Sequence, residues 1–476
     1  MGTRPWAKAF LGPLLLLLVL PLSPQAQPLL GEEPALGAAQ DRMRQQQIAD
    51  GTLSLTDIRH AGLTMFATQF RRTDGYGDGP MDFFDPTSPG GRPMLQDNGA
   101  FLRVNGLDGQ SCLDCHSIVS ADSMPMILGV GGAGGISNSV MFLSRNIDVA
   151  DTNGNGFAAF DGRLINPLSL FGVGGVQLLA KEMTLTLQAQ KALAIANPGQ
   201  PVSLRAKGVR FGSIIADDFG DVDTSAVKGV SHDLVVRPFG RKGDFATVRG
   251  FDLDALMFHM GMQPVEVVGL NVDADGDGVV NEVFTGEVSA LEIFVTTQET
   301  PVQLALNDQS QAGKQRFRQV GCTNCHRPVM HTVSTTLSYS QPEISADPEQ
   351  NVFYSVDLTA EPTQFRRSGL GGVAVPLFSD LKRHNMGDAL AETFHGTDDR
   401  GNREFVTAKL WGVADTAPYL HDGRAFTLNE AIMLHGGEAQ PARNRYVELA
   451  AEQKNELLSF LLSLRNPRSP NADVLP

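Results

Sequence analysis

The sequence predicts a mainly α protein made of two similar units that carry long, loop-rich insertions. Three observations support that reading. The stretch Cys112-Leu113-Asp114-Cys115-His116 recurs as Cys322-Thr323-Asn324-Cys325-His326. A Gly62-x-x-x-Phe66 pattern upstream of the first stretch recurs as Gly313-x-x-x-Phe317 just before the second. A closing segment sets Leu457, Phe460, Leu461 and Leu464 at helical spacing.

Both repeated stretches read C-x-x-C-H, the attachment signal for c-type haem. Two cysteines three apart lie on one side of a helical turn, where their sulfurs can form thioethers to the two vinyl groups of one porphyrin. The histidine after them then faces the iron as its axial ligand. A zinc site needs four ligands brought together, and a disulfide has no use for a histidine at the same place twice. All four cysteines of the chain lie in these two motifs. The expectation is two covalently bound haem c groups, held through Cys112, Cys115, Cys322 and Cys325, with His116 and His326 on the irons. The two units are therefore read as cytochrome c-like.

Export is expected from the N-terminus. Arg4 and Lys8 precede an apolar run around Leu14 to Leu20, and Pro21 to Ala26 offers a cleavage region. The run is too short for a membrane span, which needs about 20 residues, and no later stretch approaches that length. Haem attachment outside the cytoplasm agrees with a leader, so the periplasm of a Gram-negative bacterium is the expected compartment. A hydrophobic content of 42% with 19% charged residues describes a globular chain. The formal net charge of −15 argues against nucleic acid and anionic lipid as partners.

The chain divides into a leader at 1–26, a first haem domain at 27–300 and a second cytochrome c-like haem domain at 301–476. Gln27 to Ala49 is polar and reads as a poorly ordered leading segment. A helix is expected from Ser54 to Arg71, with Ile58, Met65, Phe66 and Phe70 in the core. In each Gly-x-x-x-Phe pattern the glycine allows another helix close and the phenylalanine fills the crossing. Thr73 to Gly99 reads as an inserted loop, and Gly129–Gly135 and Gly172–Gly175 as close-packed turns. Val209 to Ile215 is strand-like and Phe251 to Met262 helical, the latter carrying His259. A helix from Gln309 to Val320 leads into the second motif. In cytochrome c folds the first and last helices cross near the haem, and this segment and the closing one have the composition to do so.

One loop resembles a calcium site. Asp273, Asp275, Asp277, Val279 and Asn281 fall at alternate positions, with Gly278 at the turn. Phe284 stands where a bidentate acid is expected, so Glu282 or a distant residue would have to replace it. The other reading is an Asp/Gly-rich surface turn, which also suits Asp151 to Gly156.

The segment Ala417-Pro418-Tyr419-Leu420-His421-Asp422-Gly423, followed by Thr427-Leu428-Asn429-Glu430-Ala431, resembles the bacterial dihaem cytochrome c peroxidase superfamily. Leu410-Trp411-Gly412, His435-Gly436-Gly437-Glu438, Ser379-Asp380-Leu381 and His384-Asn385-Met386-Gly387 look most like its thiol oxidoreductase-like, di-haem oxidoreductase branch. The resemblance implies a distal ligand on the second iron at the place of His435. The peroxidases have methionine there; histidine implies bis-histidine ligation by His326 and His435 and a lower potential. Met386 is the rival ligand. The superfamily's distal histidine shortly after the first motif has no counterpart, because no histidine lies between His116 and His232. His259, Met124, Met126 or nothing fills that place. His421 and Arg424 are expected near the second haem or its propionates, and His60, His232, His331 and His395 as ordinary residues.

Two function classes remain open. In the first, the protein is a dihaem peroxidase-like oxidoreductase. Hydrogen peroxide or another small oxidant reacts at the first haem, and the second relays electrons from an external donor such as a small cytochrome or cupredoxin. His259 or Glu266 would move the proton, and an organic or protein substrate is a variant of this class. In the second, both irons are six-coordinate and the protein is an electron carrier without turnover.

Overall fold

The computed structural model describes residues 33–77, 109–119, 141–148, 159–392 and 399–475, with 141–148 and 159–165 described through their strand pairing alone. The leader, most of the loop after Thr73, Met124, Met126, Gly129–Gly135, Asp151–Gly156 and His395 lie outside these residues. Among the described residues no helix is long and apolar enough to cross a membrane.

The repeated glycine–phenylalanine pattern builds the same device twice. Leu55–Ala67 is a helix started by Ser54, whose hydroxyl accepts from Asp57 N while the Asp57 carboxylate takes the Ser54 N–H. It crosses the helix Thr285–Thr296 at Gly62, where a Cβ would stand 2.2 Å from the Ala290 carbonyl oxygen. Phe66 then meets Phe294 edge to face at 5.6 Å. In the second unit Asp308–Gln319, capped by Asn307, crosses the closing helix Ala451–Leu461. There a Cβ on Gly313 would lie 1.8 Å from the Glu456 carbonyl, and the Phe317 and Phe460 rings are 5.5 Å apart. Ile58, Met65, Phe66, Phe70, Leu457, Phe460 and Leu461 are all buried, as their spacing requires.

The mainly α expectation holds only in part. Beside the helices lie six small sheets among the described residues, and every strand pair in them is antiparallel. The strand-like run is confirmed as Val209–Ala216, paired with Val202–Ala206 and Val222–Asp223. Gly172–Gly175 is close-packed as expected, but it starts the long helix Val173–Ala196. A Cβ on Gly174 would meet the Thr296 carbonyl at 2.1 Å. That helix carries apolar residues around most of its N-terminal half, so no narrow stripe announces it. The leading segment is also more tied down than expected. Ile48 is fully buried, and Arg42 grips the Glu287 carboxylate and the Glu282 carbonyl.

The boundary at residue 300 does not divide the cores. Leu337, Tyr339, Val373 and Val375, C-terminal to it, join the hydrophobic cluster of the first unit. So does Val474, because the buried Arg59 holds the chain end through Asn471 and Asp473. The second cluster is smaller, built on Phe317, Phe378, Tyr446, Leu457 and Phe460.

Gly313→Ala is expected to destabilise the protein by about 1–3 kcal/mol, since the crossing helices must separate to admit the methyl group. Chemical denaturation of the variant against the parent measures this, and an unchanged midpoint would contradict the crossing.

Candidate functional site

Around the second motif the local fold sets each donor. The helix before it ends at Val320, and Gly321 turns in the left-handed region with φ 91°. A single turn over Cys322–Asn324 follows, closed by His326 N donating to the Cys322 carbonyl at 2.9 Å. His326 Nδ1 lies 3.0 Å from the Phe378 carbonyl. A carbonyl can only accept, so Nδ1 carries the proton and Nε2 keeps its lone pair. His435 sits just past the short helix Leu428–Met433, and its Nδ1 donates to Ala431 O at 2.8 Å. Its Nε2 is left in the same state.

The two rings face one another with centroids 6.4 Å apart. A metal bridging two imidazoles stands about 2 Å from each nitrogen, with each ring centre about 1 Å further back, which gives centroids about 6 Å apart. Burial pushes His326 down to about 4, helped by repulsion from His435, and burial lowers His435 as well. Both rings are therefore held neutral, as ligands must be.

The rings share a cavity of about 380 Å³ that Cys322, Cys325 and Met386 also line, within the range of small cofactor sites. Arg241, Lys409, Arg443 and Arg445 add positive charge to its walls, which suits the two carboxylates of a haem. The Cys322 thiol is pushed up to about 12 by burial, a poor state for a thiolate metal ligand. All four cysteines are free of disulfides.

A second layer fixes His435. Its loop meets the 384–387 stretch so closely that a Cβ on Gly437 would stand 2.2 Å from Asn385 O. His384 Nε2 donates to Asp380 at 2.9 Å and Nδ1 to Glu438 at 2.8 Å. Burial opposes its charge, yet the Asp380 hydrogen bond, followed by the neighbouring Cys325 sulfur, pushes His384 up to about 11. Cys325, Asp380 and His384 are close enough to hold an ion together, but both His384 nitrogens are already engaged, by Asp380 and Glu438. Of the two residues expected near the site, His421 lines the cavity, while Arg424 turns to Asp422 and the Ala389 carbonyl.

At the first motif His116 N donates to the Cys112 carbonyl at 2.9 Å, and His116 Nδ1 donates to Leu168 O at 3.0 Å. Burial pushes His116 down to about 4, and His259 adds a smaller repulsion of the same sign. His259 therefore lies near His116. Its helix, Val248–Met260, also brings the buried Asp252 to the motif, where it acts on the Cys112 thiol after burial itself. Asp252 and His259 are two turns apart and share a face. Burial, then the Glu292 charge, drives the Asp252 carboxyl well above the usual carboxylate range, and Oδ2 has no partner. Nothing in the sequence marked it, since an acid in an amphipathic helix usually faces water.

Glu266 is corrected. Arg249 takes both its carboxylate oxygens, at 3.0 Å from Nε and closer still from Nη2, so it is part of a structural ion pair. Asn281 is corrected as well: its amide turns to Asn271, accepting from the backbone N–H and donating to Oδ1. Asp273, Asp275 and Asp277 do converge, and Asp277 fixes Val279 by accepting its N–H at 2.7 Å. His60, His232 and His331 are exposed, as expected.

The span 364–464, which carries Phe378, Asp380, His384 and His435, matches the family described as "Di-haem oxidoreductase, putative peroxidase". Over this span the chain is similar to the di-haem oxidoreductases. Among solved structures, a MauG-like protein associated with microbial copper homeostasis is 16% identical, over 63% of this chain and 90% of that one, with a TM-score of 0.29. A variant of the dihaem peroxidase BthA from Burkholderia thailandensis is 13% identical, over 74% and 98%, again at 0.29. Hydrazine synthase of Kuenenia stuttgartiensis is 18% identical over 38% of this chain, at 0.22, and the match spans 55% of that chain. Superpositions this loose carry no weight for chemistry. No curated protein sequence matches the chain.

Replacing His384 with Gln is expected to destabilise the protein, because Asp380 and Glu438 then lose the cation between them. The folded pKa lies above the free value of about 6.5, so the contribution is complete below pH 6.5 and fades as pH rises towards 11. Denaturation of parent and variant across that window checks it.

Proposed function

We propose that the protein is a periplasmic dihaem c-type oxidoreductase of the peroxidase type. The supporting observation is the pair His326 and His435: half-buried, both Nδ1 protons given to carbonyls, and both rings lining one cavity that two motif cysteines also line. In this reading Cys322 and Cys325 would hold one haem, and His326 and His435 would offer their Nε2 atoms to its iron. Cys112 and Cys115 hold the other, with His116 on its iron. When bound, the two irons supply one-electron redox chemistry and, at the first, a position for a small oxidant.

The chain's own residues then divide the work. His116 is aimed and kept neutral by the Leu168 carbonyl and by burial. Reducing hydrogen peroxide to two waters takes two electrons and two protons. Asp252, rather than Glu266, holds a proton at its carboxyl on the face beside the first motif, and His259 shares that face. Electrons enter from an external donor and pass through the second site, whose two imidazoles favour a low potential.

The same position of His259 favours one other reading. If its ring closes the sixth position of the first iron, the protein is an electron carrier. Optical and EPR spectra of the first haem, oxidised and half-reduced, with and without hydrogen peroxide, decide between them. A peroxide-induced change and turnover dependent on added reductant are expected. A six-coordinate, low-spin first haem unchanged by peroxide in both states would leave the carrier reading standing. The denatured chain should keep two haems, and changing Cys112 and Cys115 to Ala should remove one.

For the second iron, His435→Met should raise the reduction potential of that haem and introduce a methionine–iron charge-transfer band. If Met386→Leu abolishes its low-spin character while His435→Ala leaves it intact, the ligand is Met386.

A further inference from the structure

The acidic loop at 273–282 brings Glu282, one of the two replacements expected for the missing acid, close to its aspartates. Asp273, Asp275 and Asp277 place one carboxylate oxygen each within 4.8 Å of one another. Backbone N–H groups of Gly276, Asp277 and Gly278 bind the Asp273 carboxylate and so fix its direction. Asp275 is only 2% exposed, and its Oδ2 has no hydrogen-bond partner.

Glu282 comes into the cluster from the chain just beyond the loop. It is 1% exposed, and a Cβ on Gly75 would lie 2.2 Å from its Cδ, so it is wedged against the turn that follows the first helix. Its Oε2 accepts the Gln263 N–H at 2.6 Å, while Oε1 has no partner. Burial drives the group up to about 10, the Gln263 hydrogen bond works the other way, and Asp275, Asp277 and Asp273 all add repulsion. Asp275 is raised to about 7, again by burial first and Asp277 next. Three acids thus converge with Glu282 close enough to feel their charge, and Asp275 and Glu282 each keep a buried oxygen without a partner. A buried carboxylate without a counter-charge is costly, and a cation among them removes that cost.

We propose that this loop is a calcium site in which Asp273, Asp275 and Asp277 supply three ligands and the buried Glu282 supplies the acid missing from the twelfth position. Calcium is the fitting ion because it accepts six to eight oxygens in flexible geometry, whereas magnesium demands an octahedron and keeps several waters. Arg42 supports the arrangement from outside, donating to the Asn281 and Glu282 carbonyls. Since Gln263 follows the helix of His259 by only a few residues, the ion would also fix the turn at the end of that helix.

The test uses the full haem-loaded chain, stripped with a chelator and titrated with calcium chloride by calorimetry. One calcium per chain is expected, with magnesium at least tenfold weaker. Glu282→Gln and Asp275→Asn should each weaken calcium binding at least tenfold while leaving the haem spectrum unchanged. Thermal melts give an independent readout. Added calcium should raise the melting temperature of the parent and have a much smaller effect on Glu282→Gln. No uptake at millimolar calcium, equal affinity for magnesium, or a Glu282→Gln protein that binds and melts like the parent would each overturn the proposal.

Discussion

Three imidazoles among the described residues, those of His116, His326 and His435, each give one nitrogen to the backbone. Leu168, Phe378 and Ala431 present carbonyls to the Nδ1 atoms of His116, His326 and His435. Because a carbonyl cannot donate, the tautomer is decided, and Nε2 is the atom left to face a metal. Everything around the sites serves to place those carbonyls. Phe378 adopts a left-handed φ of 54°, rare for a bulky residue, and Leu381 does the same at 56°. That backbone is held where the ring needs it by Ser379, whose hydroxyl donates to the Thr407 carbonyl and accepts the Leu381 N–H. The constraint costs conformational freedom and gains direction.

The frame behind those carbonyls is the glycine-centred helix crossing, made once for each motif. Gly62 and Gly313 let helices from distant parts of the chain touch through their backbones, and the following phenylalanine fills the space beyond the contact. Phe317 joins the frame to the site, since it touches Phe460 on one side and stands 6.4 Å from the His326 ring on the other. A helix displaced by even a methyl group would therefore move the ligand, which is why glycine is needed at the crossing and alanine does not serve.

What could be read in the sequence was local or repeated. The two C-x-x-C-H stretches, the paired Gly-x-x-x-Phe patterns and the strand at Val209 depend on spacing along the chain, and each is where it was expected. The failures depend on partners far away in sequence. Glu266 meets Arg249 across a turn, and nothing in its neighbourhood separates a proton carrier from half of an ion pair. Asn281 sits at a ligand position of a calcium loop, but its amide finds Asn271 instead, and the adjacent Glu282 is driven inward against Gly75. Asp252 became visible only when its helix was laid on the first motif. The strands around Tyr339 and Val373 follow the second motif in sequence yet pack on the first core, because burial depends on which apolar face is available and not on chain order.

The two candidate sites are joined by a short run of backbone between them. Asn166 donates its N–H to the His421 carbonyl at 2.8 Å, and its amide reaches the Pro418 and Leu420 carbonyls at 2.7 and 2.9 Å. Two residues later, the Leu168 carbonyl receives His116 Nδ1, while Leu168 also lines the cavity of His326 and His435. The stretch that aims the first imidazole is thus the stretch that anchors the Ala417–Gly423 loop beside the second. Losing the Asn166 amide would strand two carbonyls in the interior, at about 1–3 kcal/mol for each buried group left unpaired. The loop and the first ligand would then shift together. The Asn166 N–H groups thus couple the placement of the two sites, while Asn166 Oδ1 is buried without a partner. Through the Pro418, Leu420 and His421 carbonyls, the Ala417–Gly423 loop is the seat on which the stretch that aims His116 rests.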